Sequence, residues 1–74
     1  MNANRAQSAS YKQYRCRMKT KPGTPIHYDG YVDIWSNSDD RNDLFILSVR
    51  ELRRTAFPDY NAMMWQLTSF TQIG

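Results

Sequence analysis

One cysteine, one histidine and three scattered glycines leave this chain short of the usual materials of catalysis. With Cys16 alone, no internal disulfide can form, which excludes the covalent framework of small secreted domains. A metal centre needs several converging His, Cys or carboxylate ligands, and Cys16 with His27 does not supply them. The strand alternation described below puts these two on opposite faces, too far apart for a thiol and its base. Asp39, Asp40 and Asp43 lack the alternating oxygen ligands, central glycine and terminal glutamate of a calcium loop. Gly23, Gly30 and Gly74 stand alone, so there is no glycine-rich phosphate loop. No apolar run approaches the roughly 20 residues that cross a bilayer, and the start of the chain has no hydrophobic signal segment. These absences predict a cytoplasmic protein that is not an enzyme, holds no metal or cofactor, takes no small-molecule substrate and does not enter a membrane.

What is present describes a folding chain. The hydrophobic fraction of 41% and aromatic fraction of 14% are those of a globular protein. The first ten residues, "MNANRAQSAS", carry no apolar run and are predicted to be a flexible polar tail (1–10), leaving 11–74 as a single domain. A domain of that size buries only about 60% of the surface its unfolded chain exposes, which makes self-association or a partner attractive. A net charge of +3 and a pI of 9.3 admit nucleic acid as a partner, but two substitutions would erase the excess.

Between Tyr14 and Met18 apolar and basic residues alternate, and "IHYDGYVDIW" alternates again after "KPGT". Two period-two runs around Pro22 and Gly23 predict a β-hairpin over 11–35. A two-residue loop would set Lys19 against Ile26, mixing the two faces. A three-residue loop, Pro22 to Thr24, pairs Met18 with Tyr28, Cys16 with Gly30 and Tyr14 with Val32 on an inner face. It also sets Lys19 against His27, Arg17 against Asp29, Arg15 against Tyr31, Gln13 against Asp33 and Tyr11 against Trp35 on an outer face. In this register the small pair Cys16 and Gly30 would let a helix approach the sheet closely.

Ser36, Asn37 and Ser38 suit a helix N-cap, Asp39, Asp40 and Asp43 the positive end of its dipole, and Arg50, Arg53 and Arg54 the negative end. A helix over about 38–57 is predicted, with Phe45, Val49, Leu52 and Ala56 as its buried stripe and Pro58 closing it. "LFILSV" also reads as a strand by periodicity alone, but the capping residues and the continuation through "RELRRTAF" favour the helix. "MMWQLTSFTQI" predicts a third strand over about 63–73. The fold class that follows is α+β: a ββαβ domain with a three-stranded antiparallel sheet in the order 2-1-3 and one helix packed on one face.

A single helix leaves the other face of the sheet bare. Tyr11, Arg15, Arg17, Lys19, Tyr31, Trp35 and Phe70, with Met64, are predicted to share it, and that density of aromatic and Arg residues marks a binding surface. Asp29 and Asp33 lie on the same face and offset its cations, which favours a protein partner, either a second copy or a larger complex. The expected role is a small non-enzymatic interaction protein, an accessory or inhibitor of the kind phages and mobile elements encode. The alternative is a nucleic-acid-binding module using the same aromatic and basic face together with the helix-end arginines Arg50, Arg53 and Arg54. A second surface is predicted on the outside of the helix, with Leu47 exposed beside Arg50, Arg53 and Arg54.

Overall fold

The computed structural model describes residues 11–74; the predicted tail, 1–10, lies outside them. Strand β1 (Lys12–Thr20) and strand β2 (Asp29–Ser36) are followed by helix α1 (Arg41–Thr55), a 3-10 turn (Ala62–Met64) and strand β3 (Trp65–Gln72). The sheet is antiparallel in the order β2-β1-β3, as the alternation and the helical crossover predict. Alternation decides which side is dry: Tyr14, Cys16, Met18 and Thr20 of β1 and Val32, Ile34 and Ser36 of β2 are buried under the helix, and every residue between them is exposed or half-buried. Fully buried Met18 and Leu44 each contribute roughly 1.5 to 3 kcal/mol relative to exposure.

The hairpin register differs from the prediction by two residues. Met18 pairs with Gly30, Cys16 with Val32, Tyr14 with Ile34, Arg15 with Asp33 and Arg17 with Tyr31. Slipping by two preserves both faces, so hydrophobic patterning cannot distinguish these registers. The loop distinguishes them. Pro25 has no N–H to place in a ladder, and Thr24 closes the turn, its hydroxyl lying 2.9 Å from the Lys21 carbonyl and 3.0 Å from that of Ile26. Pairing resumes only where Thr20 N–H meets the Tyr28 carbonyl at 2.9 Å, so Ile26, predicted inside, is 48% exposed. Gly23 sits at φ 93°, a left-handed turn position that suits glycine.

Gly30 serves a different neighbour from the one predicted. A Cβ there would lie 2.8 Å from Tyr28 Cζ, so the missing side chain seats a phenol ring, not the helix. Tyr28 is thereby held edge-on to Phe57 and Trp65, with ring centroids 5.2 and 5.8 Å away. Tyr60 joins them to form an aromatic quartet at the loop end of the sheet. Its Oη and Trp65 Nε1 have no hydrogen-bond partner among the described residues, so ring packing holds the group together. The helix makes its close approach at Cys16 and Ser48, both fully buried, where the Ser48 hydroxyl returns to the Leu44 carbonyl at 2.7 Å.

Helix α1 begins three residues later than predicted because Asp40 is its cap: its carboxylate accepts from the N–H groups of Asn42 at 3.1 Å and Asp43 at 3.2 Å. The serines shape the approach instead. Ser38 Oγ accepts from Asp40 N–H and donates to the Asp43 carboxylate. At the other end Ala56 and Phe57 N–H both reach the Leu52 carbonyl, ahead of Pro58. The buried set is Leu44, Ser48, Val49 and Leu52. Phe45 is half-buried and Ala56 exposed, so the stripe is rotated by about one position from the predicted one. No helix among the described residues is long and apolar enough to cross a membrane.

Candidate functional site

The side of the sheet away from α1 presents four cross-strand rows. Lys19 lies between Asp29 and Gln66, Arg17 between Tyr31 and Ser69, and Arg15 between Asp33 and Thr71. Gln13 lies beside Trp35 in the fourth row. Tyr31 and Trp35 are 64% and 59% exposed, and Tyr11, just before β1, is also exposed. Strand geometry brings together six of the eight residues predicted for this face: Tyr11, Arg15, Arg17, Lys19, Tyr31 and Trp35.

Phe70 and Met64 are the exceptions. A β-bulge shifts the β1 to β3 register between Arg17 and Met18, so that Met18 pairs with Leu67 and Cys16 with Phe70. The extra residue, Thr68, turns Phe70 to the helix side of the sheet, where it remains 36% exposed because α1 lies over β2 and β1 more than over β3. Met64, also predicted on the open face, belongs to the 3-10 turn and packs against the core.

The arginine forks on this face are occupied. Arg15 donates from Nε to Asp33 Oδ1 at 2.9 Å and from Nη2 to Oδ2 at 3.0 Å. Arg17 reaches diagonally past Tyr31 to Asp29, at 2.9 and 2.8 Å. Bidentate pairing fixes both planes against the sheet. The hydrogen bonds from Arg15 and Arg17 hold the Asp33 and Asp29 carboxyls below their ordinary range. Three cations therefore face two carboxylates, with Lys19 alone not engaged in an ion pair among the described residues. A shallow depression of about 780 Å³ runs from Arg15, Tyr31 and Asp33 round the β2 edge to Glu51, Leu52 and Thr55. Glu51 is likewise bound to an arginine, Arg54 at 2.6 Å, which lowers its carboxyl.

The second predicted surface changes in composition. Leu47 is half-buried against the core beside Ile34 and Trp35, because the helix leans toward β2. Ile46 is the exposed apolar residue there, at 46%. Arg54 is committed to Glu51, Arg53 Nε points at the Pro58 carbonyl at 3.4 Å, and Arg50 makes no ion pair among the described residues.

Cys16 is buried on the helix side and burial pushes its thiol up, whereas His27 is exposed in the hairpin loop. Among the described residues, no three His, Cys, Asp or Glu side chains gather as a metal site would require. Sequence reasoning missed Arg41, whose guanidinium crosses from the start of α1 to the Leu67 carbonyl on β3. A lone arginine in a helical first turn, against the dipole, is the one signal that could have marked it. Comparison with family models, with curated proteins and with solved structures finds no match.

Proposed function

We propose that this protein acts without catalysis, by docking a protein partner on its open sheet face. The carrying observation is the pairing of Arg15 with Asp33 and Arg17 with Asp29 beside the exposed rings of Tyr31 and Trp35. Phosphate binding wants uncompensated cations, and each of these guanidinium forks already holds a carboxylate. The same pairing gives a protein interface what it favours: rigid aromatic anchors, near-neutral charge and polar groups already satisfied at the surface. Asp33 and Glu51, the carboxylates bordering the adjoining depression, are tied to arginines that keep them ionised, so neither is poised as a proton donor.

The experiment is a competition between two partner chemistries. Capture of a protein partner by the immobilised chain is expected to be lost in Trp35→Ala and Tyr31→Ala and retained in Arg50→Ala. Oligonucleotides are expected to bind weakly at low salt. Tight oligonucleotide binding that falls steeply as salt rises and disappears in Arg15→Ala and Arg17→Ala would instead establish the nucleic-acid module.

A further inference from the structure

The two edges of the sheet differ in charge and in what already occupies them. Lys21 N–H donates to the Met64 carbonyl, Gln13 N–H to that of Gly74, and Ile73 N–H to that of Gln13. Odd-numbered residues of β1 therefore address β3. By the alternation of an antiparallel ladder, Ser69 and Thr71, opposite Arg17 and Arg15, turn their backbone groups inward, and Phe70 and Gln72 turn theirs to the free edge. Before the bulge that edge is closed, because Arg41 occupies the outward carbonyl of Leu67. After the bulge nothing among the described residues covers it.

Charge separates the edges further. From Tyr60 to Gly74 the sequence holds no charged residue and no proline, the side chains that usually keep edge strands apart. On β2, Asp29 and Asp33 flank Tyr31, so a two-fold axis at Tyr31 or Asp33 would oppose carboxylates. Pairing β2 of one copy with β3 of the next would be heterologous, giving a larger ring or an open filament instead of a two-fold dimer.

We propose that a second copy of this chain adds to β3, antiparallel, about a two-fold axis at Thr71, to make a continuous six-stranded sheet. Phe70 then exchanges both backbone hydrogen bonds with Gln72 of the second copy, and Gln72 with its Phe70. Thr71 lies opposite its own counterpart on the open face, a favourable cross-strand pair. The two Phe70 rings, left uncovered by the offset helix, meet diagonally at about 7 to 8 Å between strand positions, within aromatic reach. Pairing stops at the bulge, clear of Arg41. The open face stays accessible on both copies, so this proposal and the docking proposal fail independently.

Sedimentation equilibrium of the full chain up to high micromolar concentration tests it, with a circular dichroism melt confirming that each variant folds. A monomer–dimer equilibrium is expected. Gln72→Pro removes an outward N–H that no bond within the sheet uses, and loss of one hydrogen bond per copy, two per dimer, should raise the dissociation constant about thirtyfold. Thr71→Lys should give a monomer, and mixing it with Thr71→Glu should restore a heterodimer; this pair decides the matter if the proline variant does not fold. Three results overturn the proposal: a wild-type monomer throughout, a dimer indifferent to both substitutions, or a dimer lost in Trp35→Ala but kept in Gln72→Pro.

Discussion

Gly30→Ala tests the packing logic through the sign of its effect. In the interior of a strand, replacing glycine by alanine ordinarily stabilises by about 0.5 to 1 kcal/mol, since the unfolded chain loses conformational freedom. Here the new Cβ would stand 2.5 Å from Tyr28 Oη and 2.8 Å from Cζ. Moving the phenol away disturbs its edge contacts with Phe57 and Trp65, so strain of the kind that overpacking produces, about 1 to 3 kcal/mol, should outweigh the gain. The net cost, about 0.5 to 2 kcal/mol, lowers the thermal midpoint of a domain of this size by about 2 to 16 °C. Urea unfolding followed by near-ultraviolet circular dichroism measures the loss, and a double-mutant cycle with Tyr28→Leu assigns it. Removing the phenol should turn the alanine substitution neutral or favourable. A stabilised Gly30→Ala protein, or an unchanged cost in the Tyr28→Leu background, would refute the seat assigned to the ring.

Asp40→Ala should cost about 1 kcal/mol by releasing the Asn42 and Asp43 N–H groups, seen as a lower urea midpoint at constant slope. The Asp29 and Asp33 carboxyls are lowered by their arginines, so the stability they contribute is present above their unfolded pKa near 4 and is lost as pH falls through the lower folded values. Asp33→Asn should flatten that acid limb in urea midpoints taken across pH, and an unchanged slope would count against the pairing. Cys16, buried and with its thiol pushed up, should react with an alkylating reagent only as the domain opens. Its labelling rate should rise with the unfolded fraction in urea, whereas rapid labelling of the native protein would contradict its burial.

Element order and sheet order were legible because they rest on long patterns. The period-two runs either side of Pro22 and Gly23, and the charge gradient from Asp39 to Arg54, each involve many residues pointing the same way. The hairpin register was not legible because a two-residue slip leaves every side chain on its own face, and only the Thr24 hydroxyl and the missing Pro25 N–H separate the alternatives. In "LFILSV" nearly every position is apolar, so composition could not say whether Leu44 or Phe45 faces the sheet; Ser48, small enough to meet Cys16, is where the helix settles. Six residues of the candidate face followed from alternation alone. Phe70 did not, since a single extra residue at Thr68 reverses parity for the rest of β3, and nothing in "LTSFT" announces it.

The two tryptophans fall on opposite sides of this division. Trp65 is 1% exposed and ringed by Tyr28, Phe57 and Tyr60, whereas Trp35 is 59% exposed on the open face. One indole lies in an apolar medium with tyrosine donors close enough for energy transfer, and the other lies in water within reach of a soluble quencher. Emission from the unlabelled protein therefore divides into a blue channel that follows unfolding and a red, quenchable channel that follows occupancy of the open face.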